Sequence, residues 1–350
     1  MSRSTRLATG LVTAALLAVT AACGGAPPAE PAASGESAAP QAPAVSVEHK
    51  YGTTEVPADP QRVVTVGLSD QDAVLALGIK PVGVVEWYGD YPNAVWPWQE
   101  AAYGEDVPQV VGDSSTLNFE SIAALQPDLI LGLYSGLTQE QYDTLSGIAP
   151  AVAQPVGYED YSAPWQEMTR LTGQALGQPE QAEQLIADVE ALFATTREEH
   201  PEFAGKTAAA AGWNEPGQYF VYGPDDPKTR FLADIGFTIP ESIRSLTGPD
   251  GYGVQVSAER LDLMDQDLAL WFTSTTPELR PELESSAIYQ SLGISAEGRD
   301  LFLEADDKEL NGAISWSTVL SLPVAIEKLV PRLPAAIDGD PATVAPATAD

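Results

Sequence analysis

Short, nearly all-apolar runs alternate with stretches of helical period through most of this chain. Residues 62–66, 81–85, 107–111 and 129–133 read as strands buried on both faces, the pattern of a parallel sheet covered by helices. Between them, Ser69 or Asp70 caps a helix running through Leu77 and stopped by Gly78, and Asn118 caps another that closes at Gln126-Pro127. Ahead of this set, 45–56 alternates loosely around Tyr51-Gly52-Thr53 and predicts a small hairpin. Residues 165–176 predict a helix ending at Gly177, and Pro179 opens a longer one. In the latter, Leu185, Ile186, Val189, Leu192 and Phe193 form one continuous apolar stripe. About twenty residues at 1.5 Å each give a rod of roughly 30 Å, which predicts limited motion of whatever it joins. Strand runs then return at 207–211, 218–222, 268–272 and 301–303, with helices at 229–235 and 321–330.

One unit is written twice. Asn118-Phe119-Glu120-Ser121-Ile122 runs on through Leu125 and Asp128 to Leu129 and Leu131. Ser257-Ala258-Glu259-Arg260-Leu261 runs on through Met264 and Asp267 to Leu268 and Leu270. Each is a capping residue, an early Glu, apolar residues at helical spacing, then an acidic turn into a strand. A helix-to-strand unit repeated so far along the chain predicts an α/β protein of two similar lobes, with mostly parallel sheets and a ligand cleft between them. The expected organisation is a leader at 1–22, a disordered tether at 23–45 and a first lobe at 46–160. Connecting helices follow at 161–202, then a second lobe at 203–333 and a disordered tail at 334–350.

The N-terminus changes the setting. Arg3 and Arg6 precede an apolar run at 7–19 that is short for a membrane span, followed by Thr20-Ala21-Ala22-Cys23-Gly24. This resembles a lipobox, so the sole cysteine, Cys23, is expected to carry lipid and tether the protein to the outer face of the cell membrane. Acidic side chains outnumber basic ones 50 to 17, for a formal charge of −33. Such a balance argues against nucleic acid as a partner and disfavours a highly anionic ligand.

Candidate chemistry is aromatic. Beyond the carboxyl ends of parallel strands, where ligands collect, stand Trp87, Tyr88 and Tyr134 in the first half. Trp213, Tyr222, Trp271, Tyr252 and Trp316 hold comparable places in the second. Rings with polar tips suit a bulky organic guest, though about half of such a set is expected to pack the lobe interface instead. His49 and His200 are the only histidines, and neither is expected at the end of a predicted strand. With one cysteine, this leaves no catalytic residue, no cofactor and no metal site to nominate. A secreted hydrolase acting in the same cleft stays as an alternative.

Several segments resemble the lipoprotein substrate-binding proteins of ABC importers for ferric siderophores, haem and cobalamin. They are Pro60-Gln61-Arg62-Val63-Val64, Leu77-Gly78-Ile79-Lys80-Pro81-Val82-Gly83-Val84, both copies of the repeat, and Ser315-Trp316-Ser317. The resemblance implies two Rossmann-like lobes on a single long helix and a monomeric carrier that delivers its guest to a permease. It also implies one docking glutamate per lobe: Glu105 on the first and Glu282, or else Glu278 or Glu284, on the second. Hydroxamate-siderophore binders are similar in having Tyr134, Tyr252 and Trp316, but commonly place an arginine ahead of the first repeated helix. Residues 112–117 contain none, so Arg230, or else Arg244, of the other lobe is nominated to substitute. The favoured guest is an Fe(III)-hydroxamate chelate that brings its own iron ligands, with cobalamin or haem as alternatives.

Overall fold

The computed structural model describes residues 44–248, 251–343 and 345–346, without the side chains of Trp213 and Asn214. The leader, Cys23, tether residues 23–43, the Trp213 ring and residues 347–350 lie outside the described residues. Strands β1 (Val45–His49) and β2 (Gly52–Val56) form the expected antiparallel hairpin.

The first lobe follows in chain order: β3 (Val63–Thr65), α1 (Gln71–Ala76), β4 (Gly83–Glu86), α2 (Pro97–Tyr103), β5 (Gln109–Asp113), α3 (Phe119–Ala124), β6 (Leu129–Gly132), α4 (Gln139–Ser146) and β7 (Ala151–Ala153). Its sheet is wholly parallel in the order β5-β4-β3-β6-β7. Helix α5 (Trp165–Ala175) packs back on this lobe, with Leu171, Ala175 and Leu176 beside Val63, Leu129 and Val152. The connector proper is therefore α6 (Pro179–Glu199) alone, 21 unbroken residues.

The second lobe holds β8 (Ala208–Glu215), β9 (Gln218–Tyr222), α7 (Pro227–Asp234), α8 (Glu241–Arg244), β10 (Gly253–Ser257) and β11 (Leu268–Phe272). Three short helices, α9 (Leu279–Ser285), α10 (Ala287–Gln290) and α11 (Gly293–Glu297), precede β12 (Asp300–Leu303). Then come α12 (Lys308–Trp316), α13 (Ser321–Leu329) and α14 (Leu333–Ala336). The sheet order is β10-β9-β8-β11-β12, the order of the first lobe strand for strand. The difference lies in direction, because β8–β9 and β9–β10 pair antiparallel. Only Pro216 and Gly217 separate β8 from β9, too few residues for the crossover that a parallel pair requires. Gly217 takes φ 75°, a conformation suited to glycine at such a turn.

The repeated aspartate has a structural reason. Asp128 accepts the backbone N–H groups of Gln61 and Arg62, each at 2.8 Å, which fastens the entry of β6 to that of β3. Asp267 accepts Thr207 N–H at 2.7 Å and fastens β11 to β8 in the same way. Asn118 caps α3 through Ser121 N–H at 3.0 Å, whereas the second copy coils as a 3-10 turn from Ala258 to Met264.

One apolar cluster runs from Val64 and Ile130 through Ile186, Val189 and Phe193 of α6 to Leu268 and Leu303. The two lobes and their connector thus share a core. The C-terminal boundary moves outward: Leu333, Ala336 and Ile337 are buried, so the chain stays packed beyond the expected start of a tail at 334. Among the described residues, no helix is long and apolar enough to cross a membrane.

Candidate functional site

Residues at the carboxyl ends of β4, β9 and β11, with Gly212 from within β8, line a cavity of about 330 Å³ between the lobes. Trp87 and Tyr88 wall it from the first lobe. Tyr222, Phe272 and Lys228 wall it from the second, with Thr276, Asn311 and Ser315 completing the lining. The size falls in the range of small-molecule sites, and apolar rings with a few polar groups are their usual lining.

The rings are ordered by one another. Trp87 meets Tyr88 edge to face at 4.9 Å and lies 6.2 Å from Trp316 and 6.3 Å from Tyr134. Trp316 arrives from α12 of the second lobe and seats among Trp87, Trp96 and Trp98 of the first. Its ring is 1% exposed. Trp316 is thus first an interlobe plug, and with Tyr134 and Arg230 it lines only a narrow void of about 10 Å³. Trp96 and Trp98 stack at 4.7 Å and belong to the same plug.

Buried carboxylates position this assembly. Asp70 accepts the backbone N–H groups of Leu133 and Tyr134 at 2.7 and 2.9 Å, fixing the exit of β6 that carries the Tyr134 ring. Asp72 accepts Trp98 Nε1–H at 3.0 Å and Gln99 Nε2–H at 2.6 Å, both from the first lobe. It also accepts the Thr318 hydroxyl, from the α12–α13 turn of the second. Burial raises both carboxyls to about 6, against the pull of these donors. Arg230 Nη2 donates to Ser162 O at 2.9 Å and pairs with Asp225 at 3.2 Å, so its charge is already engaged.

Of the nominated ring residues, Trp87, Tyr88 and Tyr222 reach the larger cavity, and Tyr134, Trp316 and Arg230 gather at the smaller void. Tyr252 packs 6.1 Å from Phe220, and burial with Asp226 close by raises its phenol to about 12. Trp271 reaches neither. It is fully buried, stacked on Phe302 at 6.1 Å and edge-on to Tyr219 and Tyr289. Its neighbour Phe272, on the opposite side of the strand, faces the cavity instead. Glu282 is likewise committed elsewhere, accepting Gly217 N–H and the Tyr219 hydroxyl at 2.9 Å each, which clamps the β8–β9 turn. Glu284 pairs with Arg280 at 2.8 Å, whereas Glu105 and Glu278 are exposed.

Lys228 is a cavity-lining side chain that the pattern of rings does not announce. Its signal is Asp226-Pro227, a cap followed by a first-turn proline, which starts α7 at the cavity wall. Asp226 caps Lys228 N–H at 2.8 Å. Its Oδ1 lies 3.5 Å from the Lys228 ammonium, which also sits 4.2 Å above the Tyr222 ring.

The profile of the periplasmic binding protein family matches residues 63–299. The chain is 31% identical over 236 residues to the probable siderophore-binding lipoprotein YfiY of Bacillus subtilis, spanning 65% of this chain and 68% of that one. A periplasmic solute-binding protein from Mycobacterium smegmatis superposes with a TM-score of 0.74 at 34% identity, covering 84% of this chain and 99% of its own. PiaA of Streptococcus pneumoniae, crystallised with ferrichrome, superposes with a TM-score of 0.73 at 28% identity, covering 85% of this chain and 99% of its own. A duplicated sheet order, one long connecting helix and a cavity at the facing strand ends accord with these matches, and the chain belongs to the periplasmic binding protein family.

Proposed function

We propose that this protein is an extracytoplasmic receptor that captures a ferric siderophore, of hydroxamate type, between its lobes and passes it to an ABC importer. The observation that carries this reading is the interlobe cavity of about 330 Å³ walled by Trp87, Tyr88, Tyr222 and Phe272. Rings of this kind give a bulky chelate rigid contact area, and the chelate's own oxygens hold the iron, so the protein performs no chemistry on it. The ferrichrome complex of PiaA and the name of the Bacillus relative point to the same class of guest. Lipid on Cys23 would hold the receptor at the membrane, and the exposed Glu105 and Glu278 are the carboxylates we assign to permease docking.

The test is a tryptophan-fluorescence titration of the purified protein with ferrichrome, ferrioxamine B, ferric enterobactin, haem and cobalamin. Saturable quenching by the two hydroxamates is expected. Trp87→Ala and Tyr222→Ala should each weaken it by about tenfold or more, with the melting temperature little changed. Tighter binding of haem or cobalamin would reassign the guest, and silence toward all five would overturn the reading.

A further inference from the structure

We infer that the guest of this cleft presents an anionic oxygen group to the second lobe and that Lys228 is the side chain selecting it. This rests on the receptor reading above and narrows its substrate class. Every polar side chain lining the cavity can donate a hydrogen bond, although its hydroxyls and the Asn311 amide can also accept one. The Lys228 ammonium and the Thr275 and Thr276 hydroxyls come from one wall, and the Asn311 amide from α12. Thr276 Oγ1 is buried with no hydrogen-bond partner among the described residues. Asn311 Oδ1 takes the Ser315 hydroxyl at 3.3 Å, which leaves its NH₂ to face a guest. No Asp or Glu is among the described residues that line the cavity, in a chain carrying 50 of them.

Lys228 is held but not spent. Its ion pair with Asp226 is 3.5 Å long, beyond the 2.7–2.9 Å of a tight charge-assisted hydrogen bond. The Tyr222 and Phe272 rings steady the ammonium at 4.2 and 5.5 Å without taking its protons. An ammonium with donors to spare, beside unpartnered hydroxyl and amide groups, is complementary to a carboxylate or to a chelating oxygen whose charge the iron leaves uncancelled. The net charge of −33 repels any anion at long range, so a preference for one must arise inside the cleft.

The experiment uses three forms of one chelate with identical iron coordination: ferrioxamine B with its free amine, the N-acetyl form and the N-succinyl form. They are cationic, neutral and anionic in turn. Titration at constant salt should rank the anionic form tightest, about tenfold or more beyond the cationic one. The Asp226→Asn/Lys228→Met double variant, which removes the buried pair together and so spares the fold, should bind all three alike. Lys228→Arg should keep the ranking. Equal or reversed ranking in the parent protein, or a ranking that survives in the double variant, would overturn the inference and leave the receptor reading standing. Failure of all three to bind would overturn the inference, and the receptor reading falls with it only if the five-guest titration is silent as well.

Discussion

Asp72 sits where α1 of the first lobe meets the α12–α13 turn of the second, and among the described residues its donors are Trp98, Gln99 and Thr318, none of them a cation that could offset its burial. Its carboxyl and that of Asp70 rise from the ordinary 3.8 to about 6 on folding. A raised carboxyl holds its proton more tightly in the folded chain, so stability falls as pH climbs from about 4 to about 6 and is level above that. Asp113 and Asp267 are shifted downward, and their contribution is lost only below this window. Urea unfolding across that range should therefore show greatest stability at its acidic end. Asp72→Asn should remove a share of the slope on the order of 3 kcal/mol, since each pKa unit is worth about 1.4. A slope that the substitution leaves intact would place the titration elsewhere. The neighbouring pair Trp271 and Phe272 separates core from site by one residue. Trp271→Ala should cost about 3–5 kcal/mol in unfolding experiments while the folded protein binds normally. Phe272→Ala should weaken binding instead. The sequence could not make that distinction, because all five residues of Leu268–Phe272 are buried and no polar alternation marks which face looks outward.

At the scale of elements, much was legible because the local signals agree with the fold. The hairpin, four of the five strands of the first sheet, the two repeats and the long helix are each marked by caps, glycine stops or apolar period, while β7, three residues long, went unread. Asp128 and Asp267 show why the repeat recurs: each ties the entry of a fourth strand to that of a first. Helices α2, α4, α8 and α12 went unread, and so did α9 to α11, which at seven, four and five residues are too short to display a helical period. The antiparallel run β8-β9-β10 went unread because the apolar runs of β8 and β9 look like parallel strands and Gly253–Ser257 carries no buried apolar run to predict a strand. Its turn is nonetheless testable. Gly217 has open space around the position of a Cβ, so Gly217→Ala should cost only the backbone strain of φ 75°, about 1 kcal/mol. Glu282→Ala should cost more, since Gly217 N–H and the Tyr219 hydroxyl both lose their acceptor. Thermal melts of the two variants side by side would show whether turn geometry or the clamp dominates.

For the molecule as a whole, the division into lobes could be read from duplication, but the way they meet could not. No local pattern tells that Trp316 lodges among Trp87, Trp96 and Trp98, or that Lys228 supplies the one cation among the described residues lining the cavity. Those facts arise from residues more than a hundred positions apart. The continuous core through α6 favours a guest entering by small adjustments of rings and loops over wide opening. X-ray scattering with and without ferrichrome should show the radius of gyration unchanged to within about 1 Å, as for other preorganised receptors. A larger contraction would mean that α6 bends or that the Trp316 plug withdraws in the empty protein. The 21-residue helix carries one more implication. A strut of constant length keeps the outer faces of the two halves at one spacing whether the carrier is full or empty. A transporter gripping both would then have no span to gauge, and the news of cargo would have to travel by texture and stiffness at the rim.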